Sequence, residues 1–497
     1  MSSLRVTAII AIVVVAACQS LVAQSTASLR SVSASDLTAS TAAHETALQD
    51  TTLQTPEPQG DVLREAVLQD AVVPSPPITV GCDVGAPNAC DTMNDPGCSC
   101  QAGEPCLCDR DHLLGDWMGL RSGLAEHGVV TDVIATQFYQ GVASGGNEQR
   151  FRYGGKLDYF FTFLGEPLGL NKGFTLLMHA ETGFGKSSNA DAALLAPVNA
   201  NMLTPLPFED ETAITGFQVM QALSEDWAVT AGRINTFDLF NTMYAQTGRG
   251  VDRFMNISSF FPMAASSTIP LVWNGAGVLK LHEGQIQGGL LVLDNTNIPT
   301  VSGIDDLFAN GATIAGLWRF FTDFGGRPGS SLFLGTYGTG TFNSLDPAGW
   351  SFVPGDGLVV PDAEGSWSVN YIGEQQLWAD RCNPERQVGL FSQWGLADEE
   401  TSPYAWCMNV SLDFAGAVKS RPQDRIGAAY FYNGLSSDLK TLSSTVAPLD
   451  DVQGGEVYYN AAITPWCYLT TDLQVIDPAR ERADTAVLVG TRLSVSL

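Results

Sequence analysis

The sequence predicts an all-β fold: a transmembrane antiparallel β-barrel of about sixteen strands, preceded by a short helix and a Cys-rich periplasmic extension. Three observations carry this expectation. The closing segments alternate apolar and polar side chains with period two, which gives each strand one greasy and one wet side. Long and short connections alternate between successive strand segments. Apart from a leader at the start, no apolar run is long enough to cross a bilayer as a helix, so a membrane position would have to come from strands.

The alternation is clearest near the end of the chain. Val457, Tyr459, Ala461 and Ile463 point one way, and Glu456, Tyr458 and Asn460 the other. Leu469, Thr471, Leu473 and Val475 oppose Thr470, Asp472 and Gln474. Val487, Val489, Thr491, Leu493, Val495 and Leu497 oppose Gly490, Arg492, Ser494 and Ser496. A sandwich strand alternates too. A chain that stops on such a strand needs a partner for it, and closure onto the first strand provides one. Composition agrees: Gly is abundant at 50 residues of 497 and charged residues are sparse at 16%. A net charge of −28 with only 25 Lys+Arg argues against a nucleic-acid partner.

In chain order, residues 1–23 read as a signal peptide, with Arg5 ahead of the apolar run Val6–Ala17. Val15-Ala16-Ala17-Cys18 resembles a bacterial lipobox, which would place a lipid on Cys18; cleavage near Ala23 would discard that cysteine instead. Residues 24–80, rich in Ala, Ser, Thr and Gln, read as a flexible linker with one short helix over Val62–Val72. Residues 81–110 hold Cys82, Cys90, Cys98, Cys100, Cys106 and Cys108, an even set that predicts disulfides in an exported chain, with zinc as the weaker alternative. Residues 111–128 read as a short helix over His112–His127: Asp116 caps it, Leu120 and Leu124 share a face, and Gly128 ends it. Residues 129–497 form the barrel, with strands near 131–140, 151–163, 174–184, 212–222, 227–235, 272–282, 285–293, 312–320, 330–338, 366–378, 387–394, 404–415, 424–433, 455–463, 468–476 and 486–497.

The connections are asymmetric: 185–211, 236–271, 294–311, 339–365 and 434–454 are long, whereas Ser224–Asp226, Glu283-Gly284 and Thr464–Cys467 are tight. With both termini periplasmic, the long set faces outside, as in outer-membrane barrels. Outward stripes are Leu157, Tyr159, Phe161 and Phe163, and Trp406, Met408, Val410, Leu412 and Phe414, with Trp227, Trp273, Trp394, Trp406 and Trp466 as girdle aromatics. The wet pore wall comprises Lys156, Asp158, His179, Glu181, Lys280, Arg319, Gln393, Asn409, Asp413, Glu456, Asn460, Asp472 and Gln474. The longest external connection, 236–271, is the expected constriction, with Asp238, Arg249, Asp252, Arg253 and Phe254 as its working residues and Arg233 just before it. Cys382 and Cys467 fall at tight turns and Cys407 near the opposite rim, which predicts no Cys382–Cys407 bond.

No catalytic or metal constellation stands out, no cofactor is expected, and the chain does not read as an enzyme. None of the five His pairs with another at ligand spacing, and Gly183-Phe184-Gly185-Lys186-Ser187-Ser188 lacks the first Gly of a phosphate loop.

Several short motifs resemble those of the carbohydrate-selective porins of the OprB type. They are Gly115-Asp116-Trp117-Met118-Gly119-Leu120-Arg121 running on to Leu124 and Gly128; Arg386–Gly395; Arg421-Pro422-Gln423-Asp424-Arg425-Ile426-Gly427; Glu456–Tyr459; Thr464-Pro465-Trp466; and Asp472-Leu473-Gln474. Ala231-Gly232-Arg233 with Asp238 and Phe240 is a weaker match. The resemblance implies a sixteen-stranded porin in the outer membrane of a Gram-negative-type bacterium. Small sugars would permeate passively, the barrel-assembly machinery would insert the chain, and a homotrimer is expected by analogy. The chain departs from the family pattern at Met118, where a second Gly is usual, and at Leu497, where an aromatic is usual; segment 24–110 lies outside the resemblance. A general, weakly cation-selective porin and a barrel-anchored surface protein remain alternatives.

Overall fold

Sixteen two-faced segments leave no free edge only when the sheet closes on itself, and the chain does this. The computed structural model describes residues 107–192, 195–203, 205, 212–244, 251–353, 357–444 and 447–497. Cys18, the linker 24–80 with its expected helix, and Cys82, Cys90, Cys98, Cys100 and Cys106 lie outside the described residues.

The strands are β1 (Val129–Ser144), β2 (Phe151–Leu164), β3 (Phe174–Gly185), β4 (Thr212–Ala222), β5 (Trp227–Asn235), β6 (Val272–His282), β7 (Gln285–Asp294), β8 (Ala312–Asp323), β9 (Pro328–Asn343), β10 (Asp362–Ala379), β11 (Gln387–Ala397), β12 (Tyr404–Ala415), β13 (Arg425–Leu435), β14 (Val452–Thr464), β15 (Cys467–Asp477) and β16 (Ala486–Ser496). Each pairs antiparallel with its sequence neighbours, and β16 returns to β1 in the register Ile134↔Ser496 to Gly141↔Val489. Every expected strand is present. Three short helices accompany them: α1 (Leu120–Glu126), α2 (Thr236–Met243) and α3 (Ser437–Ser443). Among the described residues no helix is long and apolar enough to cross a membrane.

The outward face is apolar and exposed. Tyr139, Phe217, Leu290, Phe320, Phe333, Val369, Leu396, Tyr430, Val457 and Leu473 all lie on it, as do Trp227, Trp394 and Trp406 of the expected girdle. Trp273 does not: it turns into the lumen at 1% exposure and donates from Nε1 to Thr236 Oγ1 at 3.0 Å. Neighbouring Asn274 takes the outward position at that rim and donates to the Ser302 carbonyl.

The expected helix over His112–His127 is shorter than its pattern. Trp117, Met118 and Gly119 take left-handed backbone (φ 49, 60 and 88), and such a run breaks a right-handed helix, so regular α-structure starts only at Leu120. Asp116 still caps it, accepting from Ser122 N at 2.7 Å and Ser122 Oγ at 2.6 Å, and Gly128 (φ 84) ends it as expected. This segment covers the barrel seam. Leu113 N donates to Ser496 O (2.8 Å), Leu497 N to Val133 O (2.8 Å), and Arg121 Nη2 to Leu497 O (2.7 Å).

The longest connections, 186–211, 236–271, 295–311, 344–361 and 436–451, leave one end of the barrel, and the tightest turns, 223–226, 283–284, 324–327 and 465–466, leave the other. At the tight-turn end, Asp424 of the Arg-Pro-x-Asp turn is fully enclosed by donors. Arg421 Nε at 2.5 Å, the Tyr459 hydroxyl and the Ala462 N–H at 3.0 Å all point to its carboxylate. Burial alone would raise the Asp424 carboxyl, but these hydrogen bonds hold it below the ordinary carboxylate value. Cys382, in a turn at this same end, is disulfide-bonded. Cys407 and Cys467 are free, so the expected absence of a Cys382–Cys407 bond holds. Cys108, expected among the stapled set, is also a free thiol, in the single turn Leu107–Asp109 whose Leu107 carbonyl accepts from Trp466 Nε1.

Candidate functional site: a lumen crossed by two loops

The described residues of loop 236–271, 236–244 and 251–271, follow β5 and fold into the barrel. Asn235 caps α2 by accepting from Phe237 N at 3.0 Å. One face of the helix then carries Leu239, Phe240 and Met243 against the inner wall of β6–β10. That wall is apolar: Leu279, Leu281, Leu291, Leu293, Leu317, Leu332 and Ile372 all point inward and are buried. Burying a Leu or Phe side chain is worth about 1.5–3 kcal/mol, so this contact is a small hydrophobic core inside the barrel.

The far side of the loop meets a polar wall. Glu456 on β14 accepts from Met255 N (2.5 Å), Asn256 N (3.2 Å) and Ser259 Oγ (2.7 Å). Asn256 Nδ2 donates to Gln474 Oε1 (3.1 Å), Asn433 Nδ2 to Ser258 Oγ (2.9 Å), and Arg492 Nη2 to the Arg253 carbonyl (2.8 Å). Gln474 Nε2 also donates to Asp472 Oδ1 (2.9 Å). Gln393 holds the Phe260 carbonyl, and the Ala264 N–H points at Cys407 Sγ (3.4 Å).

The described part of a second loop, within residues 186–203, also enters the lumen. Arg152 holds Asp191 through two hydrogen bonds (2.6 and 2.7 Å), Ser188 donates to Gln140 (2.7 Å), and Ala200 N donates to the Met255 carbonyl (2.9 Å). Its role inside the barrel was not legible from its composition.

Of the expected wall residues, Lys156, Asp158, His179 and Glu181 converge with Asp238 of α2. Lys156 Nζ lies 3.0 Å from Asp158 and 2.5 Å from Glu181; His179 reaches Asp158 through Nε2 (2.9 Å) and Asp238 through Nδ1 (2.6 Å). Alternate residues on adjacent strands meet here, a proximity no linear spacing shows. Asp158, His179 and Glu181 offer donor atoms within 4.8 Å of one another, but Lys156 already places a positive charge among them. Arg319 holds Glu374 and Ser330 and lies 4.8 Å from the Tyr244 ring. Asp413 accepts from Arg425 (2.8 Å) and the Tyr458 hydroxyl (2.6 Å). Tyr458 reaches it because Gly427 leaves room: a Cβ there would stand 2.1 Å from the ring.

Two expectations need correcting. Arg233 does not face the constriction: it pairs with Phe217 on the outward face, and its Nη1 donates to the Val301 carbonyl of loop 295–311. Lys280 is outward too, 2.9 Å from Asp226 and 5.3 Å from the Trp227 ring. A lysine at a tight turn reaches the headgroup level, so a polar side chain near a strand end does not mark the lumen. Asp252 is exposed, whereas Arg253 and Phe254 are buried, with Phe254 edge-on to Tyr458 at 5.0 Å. Arg249 lies outside the described residues. Sequence reading missed Glu374, Arg425 and Arg492; the last was on the polar face of its strand and could have been included.

On the tight-turn side of loop 236–271 lies a cavity of about 430 Å³ lined by Arg253, Phe260, Arg319, Phe321, Glu374, Asp413 and Arg425, among others.

The sequence pattern described as "Carbohydrate-selective porin, OprB family" matches residues 149–497. No curated protein matches. The high-pH structure of Pseudomonas putida OprB superposes with a TM-score of 0.67 at 18% identity, covering 78% of this chain and 99% of that one. The low-pH structure of the same protein gives 0.49 at 14%, covering 78% and 99%. The outer membrane channel DcaP of Acinetobacter baumannii gives 0.43 at 10%, covering 74% and 97%. At 18% identity the likeness to the high-pH structure speaks for the fold alone.

Proposed function

This chain belongs to the OprB family of carbohydrate-selective porins, outer-membrane channels for passive, selective diffusion of sugars, and from that membership we propose where its selection takes place. Loop 236–271 is the constriction. The observation that carries this is its double attachment: α2 packs on the apolar wall while Glu456 holds residues 255–259 from the opposite wall. A segment fixed on both sides narrows the lumen at a constant place. The pore wall facing it combines ion-paired charges with aromatic faces, which exchange hydrogen bonds with sugar hydroxyls and stack on pyranose rings. Such contacts stay weak, because a tightly held solute cannot leave.

The tight turns and the segment before β1 face the periplasm, and the long loops face outside. The seam contacts of Leu113 and Arg121 with the last residues support this, since they gather both ends of the described chain at the tight-turn rim.

Planar-bilayer recording tests the reading. Stable channels whose current falls saturably with added mono- or disaccharide are expected. Open channels indifferent to sugar would sink the constriction assignment.

A further inference from the structure

The cavity beside the constriction contains an imbalance. Two of its three arginines are committed to carboxylates: Arg319 to Glu374, and Arg425 to Asp413 at 2.8 Å. Arg253 is the third. Its side chain is only 10% exposed, its nearest carboxylate oxygen, on Asp413, lies 3.9 Å away, and its Nε has no hydrogen-bond partner. Asp252, next in sequence, is exposed and does not line the cavity.

A buried guanidinium with an unmatched donor loses much of a charged group's hydrogen bonding. A planar carboxylate is the partner its fork fits best. Phe321 lines the same space and offers an apolar ring for a pyranose, and the volume is that of a small-molecule site.

We propose that this cavity is a subsite for a monoanionic hexose of the uronate type, whose carboxylate is carried by Arg253 while its ring lies against Phe321. One charge is favoured over two because, among the described residues, the lining holds one cation more than it holds carboxylates. The proposal rests on the reading of 236–271 as the constriction, and its test separates the two.

The test is current block in planar bilayers at fixed ionic strength, with glucose, glucuronate and acetate compared in the wild type, R253Q and R253K; a gel-mobility shift on heating confirms that each barrel is folded. Glucuronate is expected to block at concentrations about tenfold lower than glucose, with the ratio falling to near one in R253Q and to an intermediate value in R253K, which keeps the charge but loses the fork. Equal block by glucose and glucuronate in the wild type overturns the acidic-sugar subsite and leaves the constriction standing. Acetate as potent as glucuronate, or an R253Q ratio equal to that of the wild type, also overturns it. Failure of both sugars to block overturns the constriction and the subsite together.

Discussion

The two halves of the inner wall behave as different materials. Where α2 docks on β6–β10, the inward side chains are Leu, Ile, Ala and Trp, and the helix lies on them as on a protein core. From β14 to β16 and on β2 and β3 they are Glu, Asp, Asn, Gln, Arg, Lys and His, and the loop is held there by directed hydrogen bonds. The difference teaches that one barrel can use its lumen both as a hydrophobic socket and as a solute path. The apolar half fixes the loop's position, because burial is non-directional and large. The polar half fixes its orientation, because each donor needs its acceptor.

Substitutions on either side break or sharpen this division. Phe240→Ala, in the socket, should cost about 3–5 kcal/mol in urea unfolding of the detergent-folded barrel, with ion selectivity unchanged. Glu456→Ala should cost about 3 kcal/mol, because Met255 N, Asn256 N and Ser259 Oγ lose their acceptor, and it should raise conductance and weaken sugar block. If Phe240→Ala shifts selectivity as much as Glu456→Ala does, the division of labour is wrong.

Asp424→Asn tests whether the polar side also depends on its tight-turn clamp. A carboxyl held below its unfolded value adds stability above the unfolded-state range and loses it as pH falls through the folded value. The variant should therefore be about 2 kcal/mol less stable at pH 7 and should converge with the wild type in acid, as read from unfolding midpoints across pH. A constant difference at every pH would show that packing, not the ionised carboxylate, holds the turn.

Met118→Gly, outside both halves, sets the scale of the smallest effect. Met118 is 99% exposed with φ 60, so glycine should relieve backbone strain and stabilise by about 0.5–1 kcal/mol without touching conductance. A loss of stability would mean that the left-handed turn is held by the Met side chain.

Period-two alternation located all sixteen strands, because a strand in a barrel must present opposite faces to lipid and lumen whatever its neighbours are. The phase was right wherever the lumen is wet: Glu456, Asp472, Lys156 and His179 all point inward. It failed on β6, where Lys280 marks the outer face and Leu279 and Leu281 the inner one. On that side both faces are apolar, so polarity no longer tells inside from outside, and only the docking of α2 decides. Arg233 failed for a different reason: a charge beside the constriction loop was assigned to it, while the strand pleat turned the side chain outward. The sequence by itself determined the strand count, the closure and the alternation of loop lengths, since these follow from local periodicity and chain length. Tertiary structure alone decided which charges neutralise one another, that a second loop enters the barrel, and that the Arg253 guanidinium stops 3.9 Å from Asp413. Those facts depend on contacts between residues far apart in the chain, and no local pattern encodes them.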